Sequence, residues 1–137
     1  MINQFKDEYR WLSNFELCDV TLDGVTYPSV EHAYQAAKTT DLAERELLLP
    51  LTAGQAKRYG RKVTVRHDWE DVKVSVMRSL LEQKFAIESY KDLLHATGSQ
   101  EILEGNNWGD VFWGVNLQNN KGQNHLGRII MAIRDKI

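Results

Sequence analysis

The spacing of apolar and polar residues predicts a largely helical chain with one β-hairpin near its start. Two β-prone runs, residues 20–22 and 25–27, flank the dipeptide Asp23-Gly24. Because Asp and Gly both tolerate positive φ, this arrangement predicts a hairpin. Ser29 then provides a suitable N-cap, and the apolar residues after it recur with helical spacing. A helix is therefore predicted to begin directly after Ser29.

Two short helices are predicted next. Asp41 is a suitable cap for a helix over residues 42–49, and Thr52 for a helix that ends near Tyr59. Gly60 is then expected to adopt the left-handed conformation that often closes a helix.

The second half of the chain holds the longest helical pattern. Apolar residues keep helical spacing over residues 68–88, and a shorter helix is predicted over residues 89–96. Residues 101–104 are expected to form a strand. A last helix follows Asn124, which is expected to cap it.

Length and composition restrict the class of protein. A chain of 137 residues with 42% hydrophobic and 26% charged residues matches one globular domain. We expect an α+β fold: a mainly helical single domain over residues 1–137 with a small antiparallel β-sheet. The net charge of −2 provides no global attraction to nucleic acid or membranes. With no membrane-spanning or signal-like stretch and a single cysteine, Cys18, the chain is expected to be cytoplasmic.

Several chemistries lack their sequence patterns. The four histidines have no spacing typical of a zinc site, and there is no P-loop, dinucleotide fingerprint or nucleophile-elbow serine. No metal and no cofactor are therefore expected. Chemistry must come from carboxylates, amides, lysines and aromatic rings.

One face of the helix after Ser29 carries Glu31, Gln35 and Lys38. Residues at this spacing lie on one side of a helix, so a carboxylate, an amide and an amine come together. The plainer alternative is a solvated polar face with a weak ion pair.

The segment 106–114 contains Trp108 and Trp113, each followed by glycine, with Asp110 between them. Such rings can stack on a nucleobase, which contributes roughly 1–3 kcal/mol per base. Asp110 could orient a ribose hydroxyl or assist a proton transfer. Alternatively, both rings fill the core and Asp110 caps a turn.

Three further regions are weaker candidates. Residues 122–128 combine helix-start amides with a glycine and Arg128, which suits a phosphate or an ordinary cap. Residues 10–15 mix guanidinium, aromatic and amide groups. A local basic cluster could attract phosphate or simply be solvated; its members are Lys57, Arg58, Arg61, Lys62 and Arg66.

Together these segments resemble the NADAR (YbiA-like) family of N-glycosidases. The matching residues are 11–15, 22–38, 53–57, Trp69 with Met77, Lys84-Phe85, Asp110 with Trp113-Gly114, and Gly122, Asn124, 126–128, Met131 and Arg134. Their order and spacing cover nearly the whole chain, which makes the set more specific than any single motif.

The resemblance implies a YbiA-like fold and hydrolysis of an N-glycosidic bond. The preferred substrate is ADP-ribose attached to guanine, in a nucleotide or in nucleic acid, because the basic cluster favours phosphate. The alternative is a ribosylamino-pyrimidine intermediate of riboflavin biosynthesis. The partner is thus a nucleotide-like substrate, with transient contact to nucleic acid, and no membrane. Oligomeric state and any toxin–antitoxin pairing stay open.

The expected catalytic residues are Glu31, Lys38 and Asp110. Glu31 would activate water or move a proton, and Lys38 would act electrostatically, transfer a proton or form a transient Schiff base. The expected substrate-binding residues are Arg10, Trp11, Ser13, Asn14, Gln35, Trp69, Trp108, Trp113, Gly114, Asn124 and Arg128.

Two rival classes remain. One is a non-catalytic module that binds ADP-ribose or a nucleotide, which would not need both Glu31 and Lys38. The other is a small interaction protein that uses the leucine-rich helix over residues 42–49, although packing of that helix within the fold is the commoner outcome.

Overall fold

The computed structural model describes all 137 residues. In chain order the elements are a 3₁₀ segment (Asp7–Leu12), β1 (Leu17–Leu22), β2 (Val25–Ser29), α1 (Val30–Ala37), α2 (Leu42–Leu48), α3 (Ala53–Tyr59), α4 (Trp69–Ala86), α5 (Glu88–Ala96), β3 (Gly105–Asn106), β4 (Val115–Asn116) and α6 (His125–Lys136). The predicted α+β class, mainly helical with a small antiparallel sheet, is confirmed. No helix combines the length and the apolar character that crossing a membrane requires.

The chain divides into two compact units. The central unit is Asn14–Lys84 and contains the hairpin, α1 to α3 and most of α4. The terminal unit consists of Met1–Ser13 and Phe85–Ile137. The expectation of one domain over residues 1–137 stays a prediction.

The hairpin forms as predicted. β1 and β2 pair in antiparallel register, and the turn residues Asp23 and Gly24 have φ of +50° and +80°. The outer edge of β1 is closed by α4, because the Gln83 side chain bonds both main-chain groups of Thr21. The Thr21 amide donates to Gln83 Oε1 at 2.7 Å, and Gln83 Nε2 donates to the Thr21 carbonyl at 2.8 Å.

Helix α1 is the core of the central unit. Ser29 caps it as predicted, because its hydroxyl accepts a hydrogen bond from the His32 amide. All eight residues of α1 are buried, since β1, β2, α2 and α3 all contact this helix. Its polar side chains are therefore placed inside the fold.

His32 fixes α1 to the segment that precedes α3. Its Nε2 lies 2.6 Å from the Leu51 carbonyl oxygen, and its Nδ1 lies 2.6 Å from Ser29 Oγ. Because a carbonyl can only accept, Nε2 carries a proton and donates it to Leu51, while Nδ1 and the Ser29 hydroxyl share the second hydrogen bond. Both ring nitrogens of this buried imidazole are thereby satisfied.

The two short helices have the predicted caps. Asp41 accepts from the amides of Ala43 and Glu44, and Thr52 forms a capping box with Gln55. The predicted left-handed conformation of Gly60 is wrong: its φ is −59° and its ψ is −18°. The Gly60 amide instead donates to the Ala56 carbonyl in the ordinary helical manner.

In the terminal unit the predicted strand over residues 101–104 is wrong. Only an isolated parallel bridge joins Ile2 and Ile102. Ile102 and its neighbour Leu103 are both buried, whereas a half-buried strand would alternate. The pairing here is instead the short parallel β3–β4, which no pattern in the sequence predicts.

Asn124 begins α6 but does not cap it with its side chain. Its φ is +52°, and it makes no side-chain cap hydrogen bond. The side chain instead accepts from the Glu104 amide and donates to the Ile102 carbonyl, each at 2.9 Å. Asn124 therefore stabilises the segment 102–104, which corrects its predicted capping role.

The cap of α2 can be tested directly. Replacing Asp41 by Ala removes the acceptor for two amides and should lower the free energy of unfolding by about 1 kcal/mol. Asp41→Asn is the matched control, because its side-chain oxygen still accepts. Urea unfolding measures both variants, and equal losses for Ala and Asn would contradict the capping role.

Candidate active site

The face of α1 predicted from the sequence is buried. Glu31 is 8% exposed and Gln35 is 4% exposed, and Gln35 Nε2 donates a hydrogen bond to Glu31 Oε2. The alternative of a solvated polar face is therefore wrong for these two residues. A buried carboxylate held by a carboxamide has a fixed orientation, which a catalytic group requires.

Lys38 ends this face at the C-terminus of α1. The residue is half-buried, and its Nζ lies 5.7 Å from the centroid of the Tyr34 ring. Tyr34 in turn packs on Trp69, with ring centroids 5.2 Å apart. The aromatic pair therefore provides the surface against which the lysine lies.

Burial lowers the pKa of Lys38 below its usual value. The negative charge of Glu31 opposes this effect, and three cations reinforce it: Arg61, Lys73 and Lys57. A larger fraction of the Lys38 amine is therefore neutral near pH 7 than for an ordinary lysine. A neutral amine can accept a proton or attack an electrophilic carbon.

The basic cluster predicted from the sequence is only partly available. Lys57 and Arg61 act electrostatically on Lys38, and so does Lys73 of α4, whose Nζ also pairs with Glu70 at 2.8 Å. Arg66 is paired with Asp68, with distances of 2.6 and 3.0 Å to the two carboxylate oxygens.

Asn14 also lies next to the acid. Its main-chain oxygen accepts from the Glu31 amide at 3.0 Å, and its side-chain nitrogen contacts Met77 Sδ at 3.5 Å. Its Oδ1 is buried without a hydrogen-bond partner. The central unit thus brings together five predicted site residues: Asn14, Glu31, Gln35, Lys38 and Trp69.

The tryptophan segment lies in the terminal unit and does not fill the core. Trp108 is 60% exposed, and Trp113 is half-buried. The Trp113 ring meets Phe112 edge to face, with centroids 4.9 Å apart, and also contacts His125. Both rings thus keep exposed surface, whereas the alternative required them to be buried.

Asp110 caps a turn in this segment. Its Oδ1 accepts from the amides of Phe112 and Trp113 at 3.1 and 2.9 Å. Asn106 holds the turn from the other side: it accepts from the Asp110 amide and donates to both the Asp110 carbonyl and Glu104 Oε2. The capping alternative is therefore confirmed for Asp110 Oδ1.

Gly114 has to be glycine. A Cβ there would lie 1.9 Å from Glu104 Oε2 and 2.0 Å from the Glu104 carbonyl oxygen. Glu104 and Asn106 support this turn, but no periodic signal in the sequence marks them, because their partners lie in an irregular segment.

The start of α6 does not present a phosphate site. The amides of residues 123–126 already donate to the carbonyls of Val111, Gly114, Phe112 and Trp113. A phosphate would need those donors free. Arg128 is exposed on the same helix.

The other predicted substrate-binding residues of the terminal unit differ in exposure. Trp11 is buried, and its ring meets Phe85 edge to face at 6.4 Å. Arg10 is exposed and Ser13 is half-buried. Trp11 therefore contributes to the core of this unit.

The leucine-rich helix predicted as a rival partner surface packs only in part. Within α2, Leu48 is fully buried, while Leu42 and Leu47 are exposed.

The chain belongs to the NADAR domain family, whose model matches residues 2–137. The resemblance found from the sequence is thereby confirmed.

Two of the relatives are named as N-glycosidases. The chain is 35% identical to the N-glycosidase YbiA of Escherichia coli over 136 residues, which is 96% of this chain and 83% of that protein. It is 33% identical to an N-glycosidase of Nostoc punctiforme, covering 94% of this chain and 86% of that protein. N-glycosidases are N-glycosyl hydrolases, so the chain is a member of a hydrolase family.

A longer relative and a solved structure complete the comparison. A riboflavin biosynthesis protein of Vibrio vulnificus is 38% identical over 135 residues, but this chain spans only 36% of its length. The NMR structure of E. coli YbiA matches with a TM-score of 0.83 at 33% identity, over 99% of this chain and 86% of that one. The predicted YbiA-like fold is confirmed.

The lowered pKa of Lys38 predicts early labelling by an amine reagent. Acetic anhydride should modify Lys38 at a lower pH than exposed Lys136, which serves as the internal reference. Glu31→Gln removes the charge that raises this pKa, so the labelling midpoint should shift to lower pH. Arg61→Gln removes a neighbouring cation and should shift it to higher pH.

Peptide mass spectrometry across a pH series gives these midpoints. Shifts in the reverse direction for the two variants would show that Glu31 and Arg61 do not face Lys38.

Proposed function

We propose that this chain hydrolyses the N-glycosidic bond of a phosphate-bearing N-riboside, with Glu31 and Lys38 as its catalytic residues. The observation that carries the proposal is the buried Glu31–Gln35 hydrogen bond on the same helix face as a lysine of lowered pKa. The presence of both a fixed carboxylate and an activated amine distinguishes this proposal from a non-catalytic binding module.

Glu31 supplies the carboxylate that such a reaction needs. Departure of the nitrogen base leaves positive charge at the anomeric carbon, and a nearby carboxylate stabilises that charge or takes a proton from the attacking water. The hydrogen bond from Gln35 Nε2 sets the direction in which Glu31 Oε2 points. Gln35 is therefore a positioning residue in this proposal.

Lys38 has two possible roles. In the first it exchanges a proton with the leaving base. In the second its neutral Nζ attacks the anomeric carbon of the ring-opened sugar, the bond to the base breaks, and the base leaves with a proton. Water then hydrolyses the resulting Schiff base, which releases the free sugar and restores the amine.

ADP-ribose attached to guanine is our first candidate substrate. Its two phosphates match the positive charge around Lys38, to which Lys57 and Arg61 contribute. The exposed Trp108 and half-buried Trp113 offer rings for stacking on a base. Contact with nucleic acid would then be transient.

A ribosylamino-pyrimidine is the second candidate. Two relatives carry the name riboflavin biosynthesis protein, one from Vibrio vulnificus and one from Zea mays. These names support the ribosylamino-pyrimidine intermediate of riboflavin biosynthesis that the family resemblance implies.

Asp110 is our candidate for a second carboxylate. Its Oδ1 is occupied by two amides, and its Oδ2 makes no hydrogen bond within the protein. A role in orienting a ribose hydroxyl would use this second oxygen. Arg10, Ser13, Asn14 and Arg128 remain proposed substrate contacts.

The decisive experiment offers both substrates to the protein and measures released sugar. We expect free ADP-ribose or free ribose phosphate from wild type. Glu31→Gln and Lys38→Met should each lower kcat/KM by roughly 10²-fold or more, in line with the loss of a general acid–base group. Lys136→Met, on the exposed end of α6, is the matched control.

Two results would contradict this proposal: no release from either substrate, or wild-type rates in Glu31→Gln. Borohydride added during turnover separates the two roles of Lys38. A reduced adduct on Lys38 supports the Schiff base, and unmodified Lys38 under turnover supports proton transfer.

A matched pair of variants tests whether the charge of Asp110 is used in the reaction. Asp110→Asn keeps an oxygen that accepts from the amides of Phe112 and Trp113, while Asp110→Ala loses it. If the charge is used in the reaction, kcat/KM falls in both variants although the melting temperature falls only in Ala. Full activity in Asp110→Asn would leave only the capping role.

A further inference from the structure

Gly60 stands at the end of α3 without a backbone reason to be glycine. Its φ of −59° and ψ of −18° are ordinary helical values that any residue adopts. Glycine at such a position costs roughly 0.5–1 kcal/mol relative to alanine. The reason for glycine must therefore lie in the space around it.

That space is filled by the side chain of Gln35. A Cβ on Gly60 would lie 1.9 Å from Gln35 Oε1, 2.6 Å from Cδ and 3.2 Å from Cγ. The whole carboxamide therefore lies against Gly60, and a methyl group would overlap more than its tip. Both residues are buried, so the carboxamide cannot simply move into solvent.

The position of the carboxamide oxygen of Gln35 is determined by packing rather than by hydrogen bonding. Gln35 Oε1 is buried and has no hydrogen-bond partner in the protein. The other side, Nε2, donates to Glu31. The position of that donor thus depends on how closely Gln35 approaches α3.

We propose that Gly60 is a positioning residue for the hydrolytic reaction: by lacking a side chain, it lets Gln35 lie where its Nε2 reaches Glu31. This inference rests on the proposed function of Glu31. Gly60 acts through Gln35 and touches no reacting atom.

Gly60→Ala tests the inference, with Gly54→Ala as the control on the same helix. A Cβ at Gly54 would have its nearest neighbours at 3.9 Å, an ordinary contact. Losing a hydrogen bond to a charged group should lower kcat by about ten- to a hundredfold in Gly60→Ala with little change in KM. Gly54→Ala should keep the wild-type rate.

The pH dependence of kcat/KM provides a measurement that a simple loss of folded protein would not change. A donor to the carboxylate favours its charged form. The acidic limb of kcat/KM should therefore shift to higher pH in Gly60→Ala. An unchanged limb together with an unchanged kcat would overturn the inference.

A double variant shows whether Gly60 acts through Gln35. In a Gln35→Ala background the carboxamide is absent, so adding Gly60→Ala should cause no further loss of kcat. The same addition should raise the melting temperature, because the methyl group now has space and alanine favours the helix. Additive losses of kcat, or a lower melting temperature, would refute the coupling even if Gly60→Ala alone does not fold.

A measurement without substrate separates this inference from the proposed function. The side-chain NH₂ signals of Gln35, assigned from their absence in Gln35→Ala, should shift in Gly60→Ala and stay in place in Gly54→Ala. If these shifts appear but wild type cleaves neither substrate, the proposed function fails and the contact stands. If the signals do not move, the contact itself is refuted.

Discussion

The hydrogen bond between Gln35 and Glu31 allows a polar helix face to be buried at the centre of the central unit. A carboxylate without a partner would be costly there, because burial strips it of water. The carboxamide supplies a donor from one helical turn away, and the helix can then be surrounded by the hairpin, α2 and α3. The cap at Ser29 and the imidazole of His32 serve the same purpose, since they hold the start of α1 fixed.

Opposing electrostatic effects act on the pKa of Lys38. Burial and three neighbouring cations disfavour its charge, while Glu31 favours it. The cations disfavour the charged form of the lysine, but an anionic substrate would offset their positive charge. A phosphate that binds beside them would therefore change the charge balance around the amine at the same moment as it positions the sugar.

Local chemistry made much of the central unit predictable. The Asp23-Gly24 turn, the caps at Ser29, Asp41 and Thr52, and the shared face of Glu31, Gln35 and Lys38 all depend on neighbours within a few residues. The need for glycine at position 60 could not be predicted, because it comes from the close approach of Gln35, which is distant in sequence.

The terminal unit was harder to predict for the same reason. Asparagine is a residue type that often caps helices, but the Asn124 side chain hydrogen-bonds to Ile102 and Glu104 instead. The amides at the start of α6 bond to carbonyls of an irregular segment, which no periodicity reveals. Asp110 is a candidate from the sequence, but the sequence does not show that its Oδ1 already accepts hydrogen bonds from the amides of Phe112 and Trp113.

The Gln83 carboxamide at the outer edge of β1 has a consequence for the protein in crowded solution. It satisfies both main-chain groups of Thr21 in the way that a neighbouring strand would. An extended segment from another molecule therefore cannot pair with β1 at Thr21, because the main-chain groups there are already hydrogen-bonded. A side chain on a helix thus limits intermolecular pairing of this hairpin, a task that exposed sheet borders more often leave to lysine or proline.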